Sequence, residues 1–406
     1  MKTNEKPKKN PSTTESQQKK QDHSSSKKRP ISLSKLRLMP LITGVMTLII
    51  IAWILLSYES EYLYRVQEMN LFLYTPLFFK GFMVASGGML SYIGSFFTQF
   101  FYYPWMGVAL LCLWWALLMW MIKRTFRISN KSALLLIYPV ILLLLTNVDL
   151  GYWIFYLKMR GHFFASTIGF TAAVAAVWAF RAFPKKYYLR TIWIVLSVFA
   201  LYPLIGFYSL LSSLLMGILT WRCECTTRKE NIINSVLAIV SVIAIPLIYY
   251  RFVYFRTNII NIYCTGLPIF RIDESYRAYY IPYILISLYL AALAVTYKKK
   301  NNGDVKNASL WLVCQLAQIL LITVCTYHFW YKDGNFRKEM SMNRCIENLD
   351  REGVLRIARS ETTEPTRLMV MYKNLALFRL GRSGDEMYCY LDGAKKSDAP
   401  FDVHMM

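Results

Sequence analysis

Long stretches without a single charged residue constrain this chain more than any other feature. Gly81 to Ile122 contains 42 consecutive uncharged residues, and Thr191 to Trp221 contains 31. A helix needs about 18 or more mostly apolar residues to cross the hydrocarbon core of a bilayer. Composition agrees, because 55% of the residues are hydrophobic and 17% are charged. The sequence therefore predicts an all-α, polytopic helical membrane protein whose first partner is the lipid bilayer.

About nine transmembrane helices are predicted from the apolar runs and from the basic residues between them. Basic residues before Met39 place the N-terminus in the cytoplasm, since cytoplasmic loops are enriched in Lys and Arg. The same bias sets the direction of each later span and leaves the C-terminus outside. The predicted spans cover residues 39–56, 104–122, 132–148, 163–180, two helices within 191–221, 232–250, 278–297 and 307–331.

Residues 82–102 are predicted to form one or two helices at the outer interface, or a re-entrant segment. Two full spans within Gly81–Ile122 would put Lys123, Arg124 and Arg127 outside, against the charge bias. The first half of the run is also rich in glycine. We therefore expect the second span to begin near residue 104.

Charge divides the chain into three predicted regions. Residues 1–37 hold eleven basic and three acidic residues and few apolar ones, which predicts a disordered basic cytoplasmic tail. Residues 38–331 form the transmembrane domain. The formal net charge of +23 is spread over the tail and short loops, which favours membrane orientation and argues against nucleic acid as a partner.

Residues 332–406 are predicted to form an extracytoplasmic helical-repeat segment. Asn374 to Gly381 resembles the middle of a tetratricopeptide (TPR)-type helical pair, and Gly381 is a plausible helix cap. Such repeats need about three copies for stability, so we expect the repeat region to be truncated here. A TPR-like surface would dock a partner helix or peptide.

Three glutamates directly after the first span are the leading candidates for catalysis. Glu59, Glu61 and Glu68 are predicted to lie outside the membrane, and Asp149 ends the third span on the same side. A carboxylate there can act as a general base or hold a divalent cation. The alternative is a solvated interfacial helix with a Glu61–Arg65 pair, and for Asp149 a helix end at the head groups. Metal-ligand clusters of His and Cys are not predicted.

Outer-loop cations are candidates for binding a substrate phosphate. Lys158, Arg160 and Arg256 could bind a lipid-linked phosphate. The guanidinium groups of the two arginines bind phosphate as bidentate donors, and the lysine supplies a further positive charge. The alternative for Lys158 and Arg160 is a charged loop against the outer leaflet, and for Arg256 it is a loop with internal salt bridges to Asp273 and Glu274. The sequence contains no GxxxxGK[ST], GxSxG or HExxH motif, so it offers no case for an NTPase, a serine hydrolase or a zincin.

Three segments resemble a bacterial multi-pass membrane family known only as a domain of unknown function. They are Glu61–Leu73, Phe96–Gly107 and Asn374–Leu377. The resemblance implies membrane helices followed by helical repeats, and it implies no activity. The layout is more remotely similar to the GT-C class of glycosyltransferases. That class carries acidic residues in the first outer loop, although here Ser60 separates Glu59 from Glu61.

Three functions remain open for this predicted inner-membrane protein of the bacterial envelope. The GT-C likeness implies transfer of a sugar from a polyprenyl-phosphate donor. The alternatives are a non-enzymatic scaffold whose repeats dock a partner, and a transporter or flippase.

Overall fold

The computed structural model describes most of the chain from Leu33 to Asp392. The described residues are 33–157, 159–182, 187–222, 227–255, 257–259, 261–269, 279–297, 308–360 and 364–392. They form helices and no β-strand, as predicted for an all-α protein. Of the tail predicted for residues 1–37, residues 33–37 belong to the first helix, and the rest lies outside the described residues.

The helices are numbered in chain order through the described residues. They are α1 (Leu33–Tyr58), α2 (Ser60–Glu68), α3 (Pro76–Phe82), α4 (Gly88–Thr98), α5 (Pro104–Phe126), α6 (Tyr138–Val148), α7 (His162–Ala182), α8 (Tyr187–Ile205), α9 (Phe207–Thr220), α10 (Arg228–Phe252), α11 (Ile281–Val295), α12 (Ala308–Phe329), α13 (Gly334–Glu347), α14 (Arg351–Arg359), α15 (Arg367–Leu380) and α16 (Ser383–Glu386). Four 3-10 segments join some of them: Gln99–Tyr102, Asn130–Leu136, Gly151–Tyr156 and Asn261–Tyr263.

Five of the described helices are long and apolar enough to cross a membrane. They are Leu41–Tyr58 within α1, α5, α7, Tyr188–Ile205 within α8, and α10. Ser132–Val148, α9 and α11 are apolar but shorter, and α12 passes the same test only together with α13, across a 68° bend. An apolar helix thus occurs at each of the nine predicted positions, while nine membrane crossings stay a prediction.

The ends of these helices gather at two opposite sides of the bundle. At one side, Nη1 of Arg181 at the end of α7 donates to the carbonyl of Arg124 in α5 (3.1 Å). We call this side the basic end. At the other side, the hydroxyl of Tyr62 in α2 donates to the carbonyl of Asn147 in α6 (3.0 Å). This second side, the opposite end, also holds the junctions between α1 and α2 and between α8 and α9.

The hairpin predicted within residues 191–221 is present as two helices that meet at Gly206. Pro203 lies in the last turn of α8, and Gly206 has a φ of 55°, a conformation that favours glycine. A Cβ at Gly206 would collide with the carbonyl of Thr265. That carbonyl accepts a hydrogen bond from the N–H of Phe207 (2.8 Å). The loop after α10 therefore fixes the turn between α8 and α9.

The predicted break before the second span lies at Pro104. α5 begins at this proline, a position where the missing N–H costs nothing. Phe101, in the 3-10 turn before it, is buried against Phe163 and Phe164 of α7, with both ring centroids 5.5 Å away. A separate helical segment before a span that starts near residue 104 is confirmed, and its depth in a membrane stays a prediction.

The C-terminal helices α13, α14 and α15 share a small apolar core of their own. Its buried members are Met342, Val354, Leu355, Met369, Ala376, Leu377 and Tyr390. Gly381 ends α15 with a φ of 72°, which confirms the predicted cap. The described part holds one helical hairpin and a third long helix, so TPR-like repeats remain a prediction.

Candidate functional site

The stretch Ser57–Glu68 contains a corner at Glu59, where the backbone bends between α1 and the amphipathic helix α2. Glu59 lies between the two helices as the N-cap residue of α2. The apolar side of α2 is buried through Tyr62, Leu63 and Val66. The corner therefore presents its polar residues toward whatever packs above the bundle, and in this structure that is α13.

The carboxylate of Glu59 is held by three donors from the chain around α13. Its Oε1 accepts from Nε1 of Trp330 (3.0 Å) and from Nε (3.1 Å) and Nη2 (2.8 Å) of Arg337. Glu59 is only 5% exposed. Burial raises the pKa of Glu59, and the Arg337 charge opposes that rise without cancelling it. Glu59 is thus a buried ion-pair partner whose accepting oxygen is already occupied.

An aromatic slot beside this ion pair receives Phe336. Its ring packs edge-on to Tyr62 (5.7 Å), Tyr152 (4.8 Å) and Tyr331 (5.5 Å). Gly151, with a φ of 49°, lies against the ring of Tyr331, where a Cβ would collide. The absence of a Cβ at Gly151 therefore allows the Tyr331 ring to pack beside Phe336.

Glu339 anchors the next turn of α13 to the bundle. Its Oε2 accepts from the hydroxyls of Tyr152 (3.0 Å) and Thr366 (2.8 Å). Glu339 is 4% exposed, and burial raises its pKa. We use the name docking interface for Glu59, Tyr62 and Tyr152 of the bundle together with Phe336, Arg337 and Glu339 of α13.

A second feature at the opposite end is a groove between α3, the start of α4 and the loop after α10. Its volume is about 570 Å³, within the range of sites for small ligands. We call it the Arg160 groove, because Arg160 is the charged residue among the described residues that line it. The lining residues are Phe78, Gly81, Phe82, Ala85, Ser86, Gly87, Gly88, Ser91, Met159, Arg160, Thr257, Asn261, Thr265, Gly266, Leu267 and Ile269.

Residues 34–397 match the model of a family of unknown function, DUF6057. The chain belongs to this family. The family resemblance expected from the sequence is confirmed, whereas no curated protein and no solved structure matches the chain. The DUF6057 match runs from α1 through α16, so both sides of the docking interface lie inside one family unit.

The remaining glutamates predicted as catalytic also lie on α2 and face α13. Glu61 is 3.9 Å from Nε of Arg344, and that guanidinium lies 3.4 Å from the ring centre of Tyr64. Arg65 pairs with Glu68 at 2.7 Å, so the predicted Glu61–Arg65 pair is not the one that forms. Their catalytic role stays a prediction for this DUF6057 member.

Asp149 caps the C-terminal end of α6, as predicted from its place after the third span. Burial raises the pKa of its carboxyl to about 6. It precedes the 3-10 segment that carries Tyr152 and Gly151 of the Phe336 slot. The residues that line the Arg160 groove include neither Asp149 nor any of the three glutamates. The described chain therefore does not gather the predicted acids and Arg160 around one cavity.

Of the three predicted phosphate-binding residues, only Arg160 can be placed. It is exposed at the rim of the groove, and its guanidinium carbon lies 5.9 Å from the ring centre of Phe78. Lys158 and Arg256 lie outside the described residues. Within the described ranges no group of three or more His, Cys, Asp or Glu is placed to hold a metal ion.

Sequence reasoning missed Trp330, Phe336, Arg337 and Glu339, which hold Glu59 and fill the aromatic slot. A weak signal existed, because Phe336 and Met340 are four residues apart in a helix that carries five charged residues, and this spacing predicts one buried face. Nothing in that spacing indicates that the buried face packs on α2, more than 260 residues earlier in the chain.

Proposed function

We propose that this protein is a non-enzymatic platform of the bacterial inner membrane. Its bundle crosses the membrane nine times and holds the C-terminal, TPR-like helices at the outer face, where they dock a protein partner. The observation that carries the proposal is the buried contact of Glu59 with Arg337 and Trp330. It ties the first outer corner of the bundle to the helices after the last apolar segment.

A charge pair with a buried carboxylate supports fixed positioning better than loose tethering. Because the Arg337 side chain is 33% exposed, removing it should cost less than the roughly 3 to 5 kcal/mol of a fully buried pair. The Phe336 slot and the Glu339 hydrogen bonds fix the same helix at two further points. A segment held by three separate kinds of contact presents its outer surface in one orientation, which is what a docking platform requires.

The membrane orientation we propose rests on the two sides of the bundle. Arg181 donates to the carbonyl of Arg124 at the basic end, and following the charge bias we assign this end and the N-terminus to the cytoplasm. The docking interface and the C-terminal helices then lie outside the cytoplasm.

GT-C-like sugar transfer through Glu59, Glu61, Glu68 and Asp149 is less well supported by this geometry. A general base needs access to the proton that it removes, and Glu59 is buried with its Oε1 occupied. A transporter should offer a central cavity between two similar halves, and the groove found here lies at one end of the bundle.

Two substitutions separate the platform from the enzyme. Glu59→Gln removes the base but keeps an oxygen that accepts from Trp330 and Arg337, so we expect it to complement a deletion strain. Arg337→Ala leaves every predicted catalytic acid in place but removes the guanidinium that pairs with Glu59. We expect it to fail in complementation and to speed hydrogen exchange in α13 roughly tenfold or more.

Arg356→Ala, at an exposed position of α14, is the matched control for loss of an arginine. It should complement and exchange like the wild type. If Glu59→Gln fails in complementation while α13 stays protected, the acid acts chemically and the platform proposal is wrong. The proposal is equally wrong if Arg337→Ala exposes α13 and still complements.

A further inference from the structure

We propose that the Arg160 groove binds the phosphate headgroup of an anionic lipid from the outer leaflet. The Arg160 guanidinium pairs with the phosphate, and the acyl chains leave the groove along the apolar residues beside it. This inference rests on the membrane orientation proposed above, but not on the docking of a partner, because the groove and the docking interface have no residue in common.

The floor of the groove is built from two distant chain segments, which are hydrogen-bonded to each other and to the end of α8. The hydroxyl of Ser86 donates to Oγ1 of Thr265 (2.7 Å), and both side chains are buried. The N–H of Gly87 donates to the carbonyl of Pro203 at the end of α8 (3.0 Å). Gly87 and Gly266 both have positive φ, and a Cβ on Gly87 would approach the Gly266 backbone to 3.1 Å. The floor is therefore preformed, which lowers the entropic cost of binding.

The position of Arg160 is also fixed by close backbone packing. The next residue, Gly161, has a φ of 68°, and a Cβ there would collide with the backbone of Gly94 and Ser95 in α4. The N–H of Gly161 donates to Oδ1 of Asn70 (2.8 Å). The Arg160 side chain is exposed and lies over the ring of Phe78. Its backbone is thus held at the rim while its guanidinium remains accessible.

Charge selects an anion for this groove. Among the described residues that line it, Arg160 carries the one formal charge, and the other polar side chains are neutral hydroxyls and one amide. Arginine binds phosphate through two parallel hydrogen bonds. The described lining thus offers a cation for a phosphate and no carboxylate for the cation of a zwitterionic headgroup, so an anionic lipid fits it better.

The apolar residues of the lining favour a lipid over a free anion as the ligand. Phe78, Phe82 and Leu267 face the groove. Exposed apolar side chains also occur in the two helices whose chain leads into the lining, with Leu77 of α3, next to Phe78, at 80% exposure and Phe252 at the end of α10 at 78%. Such surface is costly in water and suits contact with acyl chains near the head groups. The groove therefore matches a molecule with a phosphate and an apolar tail.

Lipid retention by the full-length protein tests the role of Arg160. The protein is exchanged into nanodiscs of equimolar phosphatidylglycerol and phosphatidylcholine, released in mild detergent, and examined by native mass spectrometry. We expect selective retention of phosphatidylglycerol, reduced roughly fivefold or more in Arg160→Gln, because a charge-assisted hydrogen-bond pair is lost. Lys332→Gln, which removes one positive charge elsewhere at the same end, should retain the lipid as the wild type does.

A steric variant tests the groove without touching the charge. A Cβ on Gly81 meets nothing within 4 Å, so Gly81→Trp fills the groove without a backbone clash. It should reduce phosphatidylglycerol retention as Arg160→Gln does. Gly384→Trp, at an equally open glycine of α16, should have no effect.

Three outcomes would overturn the inference. Equal retention of the two lipids would remove the anion preference. Unchanged retention in both Arg160→Gln and Gly81→Trp would move the lipid to another surface. Displacement of phosphatidylglycerol by millimolar inorganic phosphate would show that the groove binds a free anion and not a lipid.

Discussion

At the scale of single residues, burial decides the chemistry of the acids at the opposite end. Glu59 keeps a raised pKa even with Arg337 against it, because desolvation of a buried carboxylate outweighs the attraction of one partner. Such a pair contributes little net stability and mainly fixes which partners meet. A sequence shows that three glutamates follow the first span, but it does not show which of them will be buried.

Asp149 gives the clearest pH dependence at this scale. Its pKa rises from 3.8 in the unfolded chain to about 6 in the fold. The folded state therefore favours the protonated acid, so the stability this group contributes is present below pH 3.8 and lost as pH rises through about 6. Asp149→Asn should raise the unfolding free energy at pH 7.5 by about 1 to 2 kcal/mol, allowing for partial exposure.

Thermal unfolding in detergent at pH 5.0 and pH 7.5 measures this effect. The advantage of Asp149→Asn over the wild type should shrink at the lower pH, where the wild-type acid is largely protonated. Asp385→Asn, at an exposed position, should show no such pH-dependent gain. A wild-type protein that is as stable as Asp149→Asn at pH 7.5 would contradict the raised pKa.

At the scale of helices, the sequence predicted where individual helices begin and end, but it did not predict which distant helices pack together. Pro104 marks the start of α5, and Pro203 with Gly206 marks the turn between α8 and α9, because these residues act on their own backbone. The contact of Arg337 with Glu59 links residues 278 positions apart, and no local pattern encodes it. The Arg160 groove was missed as a cavity for the same reason, since its floor depends on a hydrogen bond between Ser86 and Thr265, which lie 179 positions apart.

The contact of α4 with the start of α7 gives a prediction at this scale. Gly161 has a positive φ and no room for a Cβ beside Gly94 and Ser95. Gly161→Ala should lower the free energy of unfolding by about 2 to 4 kcal/mol, through backbone strain and lost packing. Gly384→Ala, which has open space and ordinary φ, should change it little. Equal melting temperatures for Gly161→Ala and the wild type would show that α4 does not pack this closely.

At the scale of the whole molecule, the two ends of the bundle differ in their chemistry. The basic end gathers Arg124 and Arg181, whereas the opposite end holds the docking interface and the Arg160 groove. In the nine-span arrangement that we propose, successive spans run in opposite directions, so the side of the membrane assigned to one end of the bundle fixes the side of the other. A single well-placed label on each end is therefore enough to test the orientation of the whole chain.

Cysteine labelling makes that test in spheroplasts, with a thiol reagent that does not cross membranes. A variant that keeps Cys389 as its single cysteine, at an exposed position of the C-terminal segment, should react in intact spheroplasts. Arg222→Cys in a cysteine-free background lies just after α9 at the basic end, and it should react only after permeabilisation. The reverse pattern would place the docking interface and the Arg160 groove in the cytoplasm, where neither an outer-leaflet lipid nor an extracytoplasmic partner could reach them.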